Sequence, residues 1–333
     1  MRMVKTDGNG VIRLIEAADP VPGPGEVVVR TAVSAICGSE LGAYRGAGVA
    51  AGNGGHEGAG TVIAVGPGVE HPRLGDRVGV SSVAGCGHCG YCARGQYTYC
   101  HNRRFYGNMH AERFLAAANA CHVLPDDVPW QVGVLITGDG LGVAYHAATR
   151  IGRPVNTVAV FGLGPTGLGH TLLQSYLGRT VIGVEPTPYR RDLAGKLGAV
   201  TALDPHEPGS DVVERVRALT GGEGPDLCIE AAGKPETLHQ CFAAVRTGGM
   251  ILITGEQSRV DLSPSEDFIR RDITVSGSWF YHFGEFLQML DLYRRGLRVA
   301  DLVTHVFLAA DVDTAFREFA AGRTGKALLR WPG

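Results

Sequence analysis

Thr157 to Glu185 reads TVAVFGLGPTGLGHTLLQSYLGRTVIGVE, and few folds accommodate that order of signals. An apolar, β-branched run stops at a glycine turn, in which Gly162, Gly164 and Gly167 flank Leu163, Pro165 and Thr166. A segment with Leu168, Leu172, Leu173, Tyr176 and Leu177 on one helical side follows, then a second apolar run, Thr180 to Val184. A lone GxGxxG means little in a chain with 49 glycines. Here it lies between strand and helix, and Glu185 stands 18 residues past Gly167, where a strand end presents an acid to a ribose 2′-hydroxyl. The stretch predicts half of a dinucleotide-binding sheet.

The remainder of that region keeps the rhythm. Apolar runs AVTAL, DLCIEAAG, MILITG and ITVSGSW alternate with helical stretches at Arg190–Leu197, Val212–Leu219 and Glu236–Val245. Alternation of this kind predicts an α/β fold with a parallel, doubly wound sheet and its ligand at the strands' carboxyl ends. From Gly10 to about Asp127 the texture is different: short β-branched runs broken by Gly and Pro predict a compact, mostly β unit. A tail from Glu285 carries two helical patterns and two short apolar runs, HVFLAA and KALLRW. A chain of 333 residues exceeds the usual limit of a single core, so two domains are expected. With 31 basic and 33 acidic residues there is no charged stripe, which argues against nucleic acid or an anionic membrane as partner. No window reaches the ~18 apolar residues of a membrane span, and Met1 to Glu16 lacks a signal-peptide pattern, so a cytoplasmic protein is expected.

Two groups of residues suggest metal. Cys86, Cys89 and Cys92, with Cys100 eight residues on, can wrap four thiolates around one closed tetrahedral zinc. An iron–sulfur cluster takes four thiolates as well; a single knuckle in a β domain favours zinc. The second group is dispersed: Cys37 in AICGSE, His56 and Glu57 in GGHEGAG, and Asp139 in TGDGLG. Singly they read as a buried thiol, loop residues and a helix cap. Together they offer a thiolate, an imidazole and one or two carboxylates, enough for a catalytic zinc with an open position.

CGSE, GHEGAG, the four-cysteine segment, GLGPTG and EAAG resemble, in order and from Val11 to Arg330, the zinc-dependent medium-chain alcohol dehydrogenases, in the branch of sorbitol and threonine dehydrogenases. The resemblance implies a GroES-like, mostly β catalytic domain from residues 1–148 and 284–333, with a Rossmann cofactor domain, 149–283, inserted and the active site in the cleft. It implies Cys37, His56 and Asp139 as catalytic zinc ligands, Asp139 standing where sorbitol-type members have glutamate and horse-liver-type members cysteine. Glu57 would be the acid beside the zinc, able to replace its water, and Ser39 the hydroxyl that takes the alcohol's proton. Cys86, Cys89, Cys92 and Cys100 would hold the structural zinc. Gly42 replaces the family's relay histidine, leaving ribose and water, or Tyr44, as proton exits. Ser82 replaces an aromatic wall residue and favours a polar substrate, and Lys326 falls near a position that approaches the cofactor phosphates.

The expected reaction is hydride transfer between a secondary alcohol, polyol, sugar or amino-alcohol and NAD, with the phosphates over Gly162, Gly164, Pro165, Thr166 and Gly167. Glu185 favours NAD by repelling a 2′-phosphate, while Arg190 and Arg191 lie where they can meet one. The alternatives are a zinc enzyme for aldehydes or simple alcohols, a zinc-free reductase, and a non-catalytic cofactor-binding protein on the same fold. The family suggests homodimers or homotetramers.

Overall fold

The computed structural model describes residues 1–332, which divide into two compact units: 1–142 with 280–332, and Val143–Trp279. The sequence reading placed the joins at 148/149 and 283/284. The observed joins are 142/143 and 279/280; the first lies, like 148/149, within a continuous helix, Asp139–Thr149, whose opening turn packs with the first unit.

The first unit is built on a seven-stranded sheet. Its spine is Glu26–Ala35, a ten-residue strand with seven buried positions. It pairs antiparallel with Gly58–Val65, with Arg113–Ala117 and, from the far end of the chain, with Lys326–Arg330. The tail therefore returns to the N-terminal unit: Val303–Leu308 lies parallel to Lys326–Arg330, and the helix Val312–Ala320 buries Val312, Ala315, Phe316 and Phe319 against Val4, Ile12, Ile36 and Tyr44. This apolar closure, at roughly 1.5–3 kcal/mol per buried large side chain, makes the tail part of the core rather than an appendage.

The second unit carries six parallel strands in the order Thr201–Leu203, Thr180–Val184, Thr157–Phe161, Leu227–Glu230, Met250–Ile253, Thr274–Gly277. Val158, Ala159, Val160 and Phe161 are wholly buried because helices cover both faces of the strand, which is why their run is continuous rather than alternating. The order reverses direction at Thr157–Phe161, the switch point where such sheets bind ligands. No helix among the described residues is long and apolar enough to cross a membrane.

Candidate functional site

Cys37 follows the spine strand, His56 and Glu57 precede Gly58–Val65, and Asp139 starts its helix, so neighbouring strands and one helix terminus bring the dispersed residues together. One ligand atom from each of Cys37, His56, Glu57 and Asp139 lies within 4.8 Å of the others. Asp139 Oδ2 is 2.9 Å from Cys37 Sγ and 3.1 Å from His56 Nε2. His56 Nδ1 faces the Gly54 carbonyl at 2.9 Å; a carbonyl only accepts, so Nδ1 carries the proton and Nε2 is the nitrogen turned to the other donors. Burial raises the Cys37 thiol, and the Asp139 carboxylate raises it further. Asp139 is held well below the usual carboxylate range, its burial outweighed by its bond to His56. A thiolate, an imidazole and a carboxylate converging on one point suit zinc.

Glu57 stands differently. Wholly buried, it accepts the Asp139 N–H on Oε2 at 3.0 Å and the Lys326 ammonium on Oε1. Lys326, which its place in the sequence suggested for the cofactor phosphates, is instead 1% exposed and paired with Glu57. Ser39, at the start of the helix Glu40–Arg45, is exposed and its side chain makes no capping bond. A side chain at Gly42 would meet nothing within 4 Å, so the relay position is open space. Tyr44 packs on Phe316 in the core and is no proton exit. Ser82 is also buried.

Sequence reasoning missed the supports. Glu40 accepts the Cys37 N–H at 2.9 Å and faces His110 Nε2 at 3.1 Å; His110 Nδ1 meets Ser34 Oγ, which also accepts from Trp331 Nε1. Asn53 satisfies all its amide capacity within the His56 loop and its neighbours, accepting from the Gly55 and His110 N–H groups and donating to the Val4 and His110 carbonyls. An Asn-Gly-Gly run before His56 was the signal for that turn; His110 lies in a segment expected to approach the cleft, but nothing local paired it with Glu40.

The four cysteines form the second cluster, also within 4.8 Å. Sulfurs about 2.3 Å from a zinc have tetrahedral edges of about 3.8 Å. Here Cys86 and Cys92 are 3.9 Å apart and Cys89 and Cys92 3.5 Å. The Cys92 N–H, with neighbouring groups, draws the Cys89 thiol down to about 7, and burial pushes Cys92 up to about 12. His88 and His101 are exposed beside them, and Tyr91 packs edge-on to Tyr99 and His101.

In the second unit Gly162 has φ +90°, and a Cβ there would strike Ala232; one at Gly167 would lie 1.8 Å from the Gly162 carbonyl. Both positions require glycine. Pro165 opens the helix Pro165–Tyr176, where its missing N–H costs nothing, and Thr166 follows in the first turn. Glu185 reaches back to this turn, accepting the Leu163 N–H at 2.8 Å and the Thr187 N–H at 3.0 Å. Each oxygen keeps a lone pair for a further donor. The Arg190 guanidinium comes within 4.0 Å of where a Gly164 Cβ would be, whereas Arg191 is engaged by the Glu185 and Pro186 carbonyls and by Asp204. Glu230 is spent on its own turn, accepting from the Ala232 and Gly233 N–H groups and the Thr237 hydroxyl.

The sequence matches the family Alcohol dehydrogenase GroES-like domain over residues 23–126 and Zinc-binding dehydrogenase over 165–295. It is 33% identical over 333 residues to L-threonine 3-dehydrogenase of Pyrococcus abyssi, covering 95% of this chain and 94% of that protein. It is 32% identical to a probable D-xylulose reductase A of Arthroderma otae, with 83% and 80% covered. An alcohol dehydrogenase from E. coli CFT073, solved in complex with NADH, superposes with a TM-score of 0.86 at 27% identity, covering 99% of each chain. With both domains matched in order, and a relative this similar along nearly the whole length, the chain belongs to the zinc-dependent medium-chain alcohol dehydrogenases.

Proposed function

We propose that this enzyme oxidises a secondary alcohol bearing further polar groups (a polyol, sugar or amino-alcohol) with NAD, and reduces the corresponding ketone in reverse. The observation that carries the reading is the convergence of Cys37 Sγ, His56 Nε2 and Asp139 Oδ2 on one point. These three residues would hold the catalytic zinc, and the four cysteines a structural one. A zinc so held would supply Lewis-acid chemistry at a substrate oxygen. Ser39, exposed and uncommitted to its helix, takes the alcohol's proton. With open space at Gly42, that proton passes on to cofactor ribose and water. In the second unit Gly162, Gly164 and Gly167, with Pro165 and Thr166, seat the pyrophosphate, Glu185 accepts the ribose hydroxyls and Arg190 flanks the phosphates. The relatives named as a threonine 3-dehydrogenase and a xylulose reductase support a substrate with polar neighbours to the reacting carbon.

The test is a panel of polyols, sugars, amino-alcohols and aldehydes with NAD, followed by NADH absorbance. Turnover of a polar secondary alcohol is expected; turnover of aldehydes or simple alcohols alone overturns the substrate class, and none at all favours a binding protein. Glu185→Ala should raise the NADP/NAD preference about tenfold, the scale of one hydrogen bond to a charged group. A wild-type enzyme that already prefers NADP removes the cofactor assignment. A cytoplasmic location and a homodimer or homotetramer are part of the same proposal, the latter read by light scattering.

A further inference from the structure

Lys326 opens the strand Lys326–Arg330, whose next three residues, Ala327, Leu328 and Leu329, are wholly buried. Its own side chain is drawn into that interior, where an ammonium is costly unless paired. The partner is Glu57, and the attraction between the two raises the Lys326 pKa in spite of burial. Glu57 thus has one oxygen on a cation and the other on the Asp139 N–H. Yet a ligand atom of Glu57 is within 4.8 Å of those of Cys37, His56 and Asp139, close enough to compete for the same ion.

We infer that Lys326 is a positioning residue that keeps Glu57 from joining Cys37, His56 and Asp139 on the metal, so that three protein ligands and one open position remain. The inference rests on the zinc reading given above. One thiolate and two carboxylates carry three negative charges, which a divalent ion and one ammonium together neutralise. Without the ammonium, the buried Glu57 charge has only the metal to turn to, and the coordination position needed by a substrate oxygen is filled. Asp139 is spared that competition because its Oδ2 already faces Cys37 and His56, while its own N–H restrains the other oxygen of Glu57.

The experiment replaces zinc by cobalt at the Cys37 site alone and records the visible d–d spectrum without substrate. Lys326→Met should shift the band, as a change of donor in the fourth position does, and lower kcat about 10- to 100-fold, the usual scale for a group behind the ligands. Lys326→Arg should keep the wild-type spectrum, and the pair Lys326→Met with Glu57→Gln should restore it. A wild-type spectrum in Lys326→Met, or a shift that survives in the double variant, overturns the inference. Should Lys326→Met not fold, Lys326→Gln keeps a donor to Glu57 without its charge and is read by the same two outcomes. Wild-type protein that takes up no metal at the Cys37 site overturns the zinc reading itself; a metallated protein with an insensitive spectrum overturns only the role of Lys326.

Discussion

In the four-cysteine segment every sulfur comes from residues 86–100, and the N–H groups that orient them, those of Cys86 and Cys92, belong to the same stretch. At the other cluster the donors come from positions 37, 56 and 139, and Glu57 beside them is held by position 326. The first is an all-thiolate site that a metal closes completely; the second mixes thiolate, imidazole and carboxylate and keeps a further carboxylate tied back. A local site draws its geometry from its own loop. A site assembled from four distant segments inherits the rigidity of the sheet and tail that carry it, which is what a reaction geometry needs.

The largest test of this contrast is Cys37→Ser. It should release one zinc and lower turnover more than about 100-fold, beyond what loss of a single supporting group does, while the melting temperature stays near wild type. Metal analysis and kinetics read it; loss of both zincs would show that the two clusters are not independent. Cys92→Ser is expected to reverse the pattern: about 5 °C lower Tm by calorimetry, with near-normal turnover per remaining zinc at low temperature. Equal loss of activity in both variants would break the division into structural and catalytic sites.

A smaller effect concerns how the cysteine segment is attached. Tyr97 stacks on Phe283, Phe283 on His122, and Thr98 bonds His282. Burial draws His122 down to about 3, so it stays neutral in the fold when the unfolded chain, near the ordinary value of 6.5, is already protonated. Its contribution is complete above about 6.5 and is lost as pH falls toward 3, by up to about 1.4 kcal/mol per pH unit. His170 in the second unit, likewise drawn down to about 3, adds a parallel loss. Unfolding in urea between pH 4 and 7 should therefore show stability falling with acid, less steeply in His122→Gln. An unchanged slope would remove His122 from the anchorage.

The glycine turn at Gly162, the acid at Glu185 and the spacing of the four cysteines were legible because each is a local pattern with few conformations open to it. Strand alternation likewise carried the parallel sheet, and the two helices and two strands of the tail appear where their apolar patterns lie. Individual residues without such a pattern were misread: Lys326 pointed to phosphate and Tyr44 to a proton path, although Lys326 is paired with Glu57 and Tyr44 packs on Phe316.

By itself, then, the sequence determined the two kinds of domain, the closed cysteine site and the set of residue types capable of holding a second metal. Only the tertiary structure decided that Asp139 rather than Glu57 shares its oxygen with Cys37 and His56, and that Lys326 stands behind Glu57. The reason is physical: a side chain's partner depends on which strands become neighbours, and Lys326 meets Glu57 because the tail strand and Gly58–Val65 both pair with Glu26–Ala35, a juxtaposition that no local pattern encodes.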